Sequence, residues 1–452
     1  MNPSPSEGPS SHSRETHGDS TRVGLRAGIS YGAMGLPLAF VALPLYVHLP
    51  NYYASNFGIS LATLGAILLL ARLFDAFTDP LLGRLSDALF ARSHRWVLGV
   101  GACTGLLMVM GMAALFFPPA WAMNHLTVWA LAGLLLTYTA FSQIGIAYQS
   151  WAARLGGREV WRAKIVAWRE GAALIGVILA SVLPSVMGWS VWLSVFAVAL
   201  VLAWFLWWQA PVPQPSRVMT TEGPGWRALA IPWQNPAFRR LMAVFILSGL
   251  ASAMPATLVL FFIQDRLGAA AMEPVFLATY FVAAALSMPL WMRAVQHLGL
   301  ARTWLAGMVL ASITFIWAST LGTGDVWGFV LVCALSGLAL GTDLALPSAI
   351  LAGLIQDRGH QGQREGAYFG WWNLAGKLNL ALAAGLALPL LGWLGYTPGT
   401  HHSDGLLALT WAYAVIPCII KLIAAVLLYV FFVRRPATQV TTPSVSNPKD
   451  AS

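Results

Sequence analysis

Long apolar runs broken by short charged connections alternate along the chain from about residue 24 to 433. A helix rises about 1.5 Å per residue, so roughly 20 apolar residues cross the ~30 Å hydrocarbon core of a bilayer. About twelve such runs are placed near 24–49, 57–86, 95–117, 123–153, 162–187, 188–209, 237–265, 271–295, 301–322, 325–356, 365–395 and 405–433. The pattern predicts an all-α membrane protein with twelve transmembrane helices. The fifth and sixth runs are nearly continuous, and Pro184 with Gly188 supplies the turn between them. The polar ends, 1–21 and 435–452, are expected to be disordered cytoplasmic tails. The first of them has no apolar segment of the signal-peptide kind, which leaves targeting to the first spanning helix.

Composition strengthens this picture. The chain is 58% hydrophobic and 10% charged, against about 45–50% and 25% for a soluble domain. Its 21 Trp and 21 Phe suit aromatic belts at the membrane surface. The net charge of +9 implies no nucleic-acid partner, because arginine and lysine gather in alternate connections. Arg22 and Arg26 flank the first run, Arg92 and Arg95 the second connection, Arg154, Arg158, Arg162 and Lys164 the fourth, and Arg217, Arg227, Arg239 and Arg240 the sixth. Arg293 and Arg302, Arg358 and Arg364, and Arg434 and Arg435 continue the alternation. Such asymmetry places both termini in the cytoplasm and, in a bacterium, the protein in the inner membrane. The longest internal connection, 210–236, carries PVPQPS and divides an N-terminal six-helix half, 22–209, from a C-terminal one, 237–434. Cys103, Cys333 and Cys418 lie in apolar runs without paired spacing, so they are expected to pack and not to bridge. The nine histidines show no ligand spacing, and no metal is expected.

The second run interrupts its apolar pattern with Arg72, Asp75 and Asp79. Residues four apart share a helix face, so both carboxylates point the same way. Each costs roughly 2.5–3.5 kcal/mol at the centre of an isolated spanning helix, which marks them as facing a bundle interior or a watery cavity and as candidates for function. Beyond them Gly83 and Asp87 precede Arg92 and Arg95, a spacing suited to close helix approach and a gating ion pair.

That G-x-x-x-D…R pattern resembles the loop signature of major facilitator transporters, whose fold sets two similar halves around a midplane site. Joined to RLFDAFTDPLLG, it resembles the glycoside–pentoside–hexuronide:cation symporters, whose type is the melibiose permease. SYGAMGLPLAFVALPLYVHLPNYY in helix 1, WREGAALIG in helix 5, SGLASAMPATLVLFF in helix 7, GLALGTDLALPSAIL in helix 10, the Lys377 stretch of helix 11 and PCIIKL in helix 12 extend the resemblance over the membrane portion. It implies that Asp75 and Asp79 carry the coupling cation, with Lys377 in the same charged network and Arg72 as a further charge partner. Thr78 stands where the permease has an asparagine linked to sodium use, and Ser142, Gln143 and Gly145 lie where it has a sugar-binding acid; Thr78 and Ser142 are candidates for further cation oxygens. The coupling ion is Na⁺ or H⁺, and no other cofactor is expected.

Arg169, Tyr138, Gln143, Tyr148, Gln149, Trp372 and Asn373, with Trp371 beside them, are candidate solute-binding residues. Arg169 and Glu170 are adjacent and point about 100° apart, so Arg169 is assigned to the cavity and Glu170 to helix pairing. Asp343 and Lys421 form a candidate second charged pair. The function implied is cation-coupled movement of a sugar- or glycoside-like solute by alternating access. A lysophospholipid or other amphiphile is the rival solute, and a membrane-embedded enzyme is disfavoured because the short loops offer no HExxH, GxSxG or paired His/Asp arrangement. The expected partners are a small solute and membrane lipid, with the protein monomeric.

Overall fold

A computed structural model describes residues 24–59, 61–213, 227–394, 396 and 402–434. The expected tails, 1–21 and 435–452, and positions 214–226 of the central connection lie outside the described residues. Every described element is helical. The first run comprises α1 (Leu25–Gly32), α2 (Gly35–Leu43) and α3 (Leu49–Phe57), with a π-helical turn over Pro44–His48. There follow α4 (Leu61–Arg92), α5 (His94–Phe116), α6 (Leu126–Leu155) and α7 (Glu159–Trp208). A short α8 (Arg227–Gln234) leads into α9 (Pro236–Phe261), α10 (Glu273–Ala318), α11 (Val326–Asp357) and α12 (Glu365–Trp393). The last run is α13 (Ser403–Thr410), a π turn over Trp411–Val415, α14 (Ile416–Leu428) and a closing π turn over Tyr429–Val433.

Local chemistry sets several boundaries. Ser93 accepts from the Arg95 amide at 3.1 Å and starts α5, and Asn235 accepts from the Ala237 amide at 3.0 Å ahead of Pro236 at the start of α9. Gly188 (φ 78°, ψ 168°) breaks α7 into two arms, at the turn expected from the sequence, and Gly299 (φ 75°, ψ 172°) breaks α10 likewise. Both conformations are open to glycine and strained for other residues.

Among the described residues, eight helical stretches are long and apolar enough to cross a membrane. The charge-bearing α4 and α12 and the first arm of α7 are not among them. The helices carry large apolar side chains outward as well as inward. On α14, Ile419, Leu422, Ile423 and Val426 are exposed while Lys421 and Ala424 are buried. In water that arrangement is unfavourable; in lipid it is what a helix with an interior polar role requires. The protein is therefore an integral, multi-pass membrane protein. Cys333 and Cys418 pack inside as expected, but Cys103 sits on the exposed face of α5.

The core has three parts. One lies wholly in the first half, from Tyr31 to Ala210, and one wholly in the second, from Ala253 to Ala414. The third joins them: Ile146, Ala153 and Val166 of α6 and α7 pack with Phe238, Leu300, Ile355 and Tyr368 of the second half. This shared core gathers near the arginine-rich connections, so the halves are sealed at that end. Across them, α4 packs on α12, and α7 packs on α10 and α11.

Candidate functional site

Lys377 of α12 reaches across the seam into the face of α4 that carries both acids. Its ammonium lies 2.6 Å from Asp75 Oδ2 and 2.8 Å from both oxygens of Asp79. It donates a further hydrogen bond to Ser142 Oγ of α6 at 2.8 Å, and that hydroxyl donates to Asp75 Oδ1 at 2.6 Å. All three N–H donors of the ammonium are engaged. Asp75 and Asp79 are buried, whereas the lysine side chain stays 21% exposed toward a cavity. The i, i+4 spacing of the acids makes this possible, because one ammonium can bridge two carboxylates only if they share a face. The sequence placed Asp75, Asp79, Lys377 and Ser142 in one network, and the structure brings them together. It does not bring Thr78 into it: that hydroxyl donates to the Asp75 backbone carbonyl at 3.0 Å, the usual local bond of a threonine within a helix. Arg72 is half-buried one turn before Asp75; the groups holding the Asp75 carboxylate are Lys377 and Ser142.

The cluster forms part of the wall of a cavity of about 360 Å³ between the halves. From the first half come Leu38, Phe141, Tyr148, Gln149, Arg169 and Glu170, and from the second Phe245, Trp372, Asn373 and Lys377. Trp372 stacks on Phe245 with centroids 3.7 Å apart, fixing an aromatic platform, and Gln149 donates to Asn373 Oδ1 at 3.3 Å across the seam. Tyr31 and Tyr148 stack at 4.3 Å, and each hydroxyl donates to the other's backbone carbonyl, so the Tyr148 ring, not its hydroxyl, is offered to the cavity.

Arg169 and Glu170 correct a sequence expectation. Adjacent helical positions diverge, yet both side chains line the cavity and form an ion pair, with Arg169 Nε 2.8 Å from Glu170 Oε1. The guanidinium stem is long enough to fold back on its neighbour, which brings both residues to the cavity. Tyr138 and Gln143 are buried within α6 and are not on the cavity wall, and Trp371 turns away to donate to the Leu229 carbonyl at 2.8 Å. One helix face cannot present all of residues 138, 142, 143, 145, 148 and 149, and α6 directs Ser142, Gly145, Tyr148 and Gln149 inward.

At the arginine-rich end a second polar cluster closes the seam. Asp87 accepts from the backbone amides of Gly366 (2.8 Å) and Ala367 (2.9 Å), so an acid of α4 caps the buried N-terminus of α12. The fully buried Arg154 guanidinium lies 2.9 Å from Asp87 Oδ1 and 2.9 Å from Glu365 Oε2. Gly83 and Gly366 face each other so closely that a Cβ on either would collide with the carbonyl oxygen of the other. The expected gating role of Gly83 and Asp87 thus has a geometry, but the basic partner is different. Arg92 and Arg95 are exposed, Arg92 lying over the Trp96 ring at 5.4 Å. Arg154 and Glu365 were hidden in the sequence among loop charges at helix ends; the clue was that Arg154 precedes Gly156 and Gly157, whose turn leaves it in the last turn of α6. Glu159 Oε2 accepts from the Leu300 amide at 3.3 Å, and Arg162 donates to Gln356 at 2.7 Å, completing the closure.

Asp343 and Lys421 do pair, at 2.5 Å, inside the second half.

The MFS/sugar transport protein family profile matches residues 28–435. Among curated proteins, the chain is 23% identical to a glucuronide carrier protein homolog of Escherichia coli, over 89% of this chain and 91% of that one. It is 23% identical to a putative sulfoquinovose importer of Salmonella typhimurium, over 91% and 90%. Among solved structures, a bacterial homologue of the iron transporter ferroportin in its outward-facing state superposes with TM-score 0.67 at 14% identity, covering 90% of this chain and 98% of that one. The Escherichia coli fucose:proton symporter gives 0.60 at 14% identity, over 88% and 97%. These likenesses fix the fold as that of the major facilitator superfamily. The chain belongs to the MFS/sugar transport protein family, the glycoside–pentoside–hexuronide symporters, and is a transporter and not an enzyme.

Proposed function

We propose that the protein couples uptake of a sugar-like solute bearing an anionic group to a Na⁺ or H⁺ gradient. The observation that carries this reading is charge balance: Asp75 and Asp79 bring two negative charges and Lys377 one positive, so the cluster is one positive charge short. One monovalent cation neutralises it, as hard carboxylate oxygens allow for Na⁺ and protonation allows for H⁺. Binding would loosen Lys377 from the acids and change the wall of the adjoining cavity, which gives the two ligands a reciprocal linkage.

The cavity volume lies in the range of small-ligand sites, roughly 300–1,000 Å³, and Trp372 offers a flat face for a sugar ring. The relatives named above carry a glucuronide and sulfoquinovose in their names, both anionic sugars, and Arg169 supplies a guanidinium for such a group. The small volume and the polar groups of Gln149, Arg169, Glu170, Asn373 and Lys377 on the wall support a sugar over a long-chain amphiphile. Counting the arms of α7 and α10 separately supports twelve passages, with 22–209 and 237–434 as the moving halves and 210–236 linking them. The arginine-rich end is assigned to the cytoplasm of a bacterial inner membrane, with both termini there, on the charge asymmetry of the connections. The closed end then makes this an outward-facing state.

Thermal unfolding of the purified protein tests the solute class. A glucuronide raises Tm, and does so at lower concentration with Na⁺ or at lower pH, while the matching neutral glycoside and a lysophospholipid do not. Stabilisation by the lysolipid alone would overturn the sugar reading.

A further inference from the structure

The Asp343–Lys421 pair has no part in the scheme above, yet it does not sit in a dry core. Asp343 lines a second cavity, of about 170 Å³, lined by α9, α10, α11 and the π turn Trp411–Val415. Every lining residue belongs to the second half, so this space is separate from the one between the halves. Its walls are aromatic: Phe276, Phe281, Phe315, Tyr280 and Tyr413. Tyr280 and Phe281 are inclined by 68° at 5.2 Å, and Phe315 and Tyr413 by 64° at 5.7 Å, so ring edges and faces alternate around the space. An inserted ring meets edge-to-face partners there.

One charged oxygen pair is at hand. Asp343 Oδ2 takes the Lys421 ammonium at 2.5 Å and the Ser252 hydroxyl at 3.2 Å, while Oδ1 accepts from Trp304 Nε1 at 2.8 Å and has Ser248 only at 3.5 Å. Oδ1 therefore has capacity for one more donor. Lys421 is saturated by Asp343, Ser248 Oγ and Ser252 Oγ, the last two at 2.9 Å, and its side chain is 5% exposed against 19% for Asp343. The acid is thus nearer the cavity than the ammonium. Charge then narrows the occupant: an anion is opposed by Asp343, a full cation meets an acid whose charge Lys421 already balances, and a neutral donor leaves that balance intact. Size selects it further, since an apolar cavity of about 150 Å³ accepts a benzene ring.

We propose that the second half contains a binding site for a small neutral aromatic alcohol of phenol size, its ring among the Phe and Tyr side chains and its hydroxyl donating to Asp343. It is independent of the solute cavity. The test uses the full-length protein purified in detergent, with phenol as probe and toluene as the ring without a donor. Phenol raises Tm saturably, and toluene requires about fivefold higher concentration, as expected for the loss of one hydrogen bond. Ala256→Phe and Val259→Phe, which fill the cavity from α9, each abolish the phenol shift. A phenol shift that survives in either folded variant overturns the site, as does the absence of any saturable shift in the unmodified protein. If neither variant folds, the phenol–toluene comparison decides: equal potency means partition into detergent or lipid and sinks the proposal.

Discussion

Lys377 is the hinge of the electrostatics at the level of single residues. Removing it as Lys377→Met leaves two buried carboxylates facing one another, and breaking a buried pair of this kind costs about 3–5 kcal/mol. The predicted outcome is a marked fall in Tm, recovered when Asp75→Asn and Asp79→Asn are added to remove the uncompensated charge. No recovery in the triple variant would show that Lys377 stabilises the fold through packing and not through the acids. Arg169 and Glu170 give a sharper comparison. If Arg169 receives the anionic group, Glu170 competes for it in the empty cavity, since the two are paired there. Arg169→Gln should raise KM for an anionic sugar by about tenfold or more, and Glu170→Gln should lower it. A fall in affinity with both variants, measured by initial-rate uptake, would refute the competition.

At the scale of elements, the seam between α4 and α12 combines backbone contact, a cross-half helix cap and a buried arginine. Gly83 and Gly366 permit the approach, Asp87 caps α12, and Arg154 ties Asp87 to Glu365. A side chain at this contact must part the helices. Gly366→Val is therefore predicted to open the arginine-rich end, lengthening the distance between spin labels placed through Arg92→Cys and Asp357→Cys in a background lacking the native cysteines. An unchanged distance distribution would mean that the seam is not what holds this end shut. The seam also marks the limit of sequence reading. Asp75, Asp79 and Lys377 were legible because a charge inside an apolar run is costly wherever the run packs. Arg154 and Glu365 were not, because a charge at a helix end has a sufficient explanation in water, and their partnership joins positions far apart in the chain. Arg92 and Arg95 were nearer Asp87 in sequence, but they lie beyond the last turn that faces the seam.

The whole molecule owes its legible part to the same physics. Apolar runs of membrane length and alternating loop charge were enough to anticipate an all-helical bundle in two halves, and the turns at Gly188 and Gly299 fall between runs as expected. What the sequence did not reveal is the state of the molecule: which core joins the halves depends on packing between distant helices. The third core and the Arg154 cluster join the halves at the arginine-rich end. Alternating access requires those contacts to break once the Lys377 cluster is neutralised. The most direct test reconstitutes the protein in liposomes and follows uptake of a radiolabelled glucuronide under an inward Na⁺ or H⁺ gradient. The unmodified protein should accumulate it above equilibrium under one of the two gradients, and Asp75→Asn should equilibrate it downhill without accumulation. Accumulation by Asp75→Asn equal to that of the unmodified protein would contradict the assignment of the coupling cation to this site.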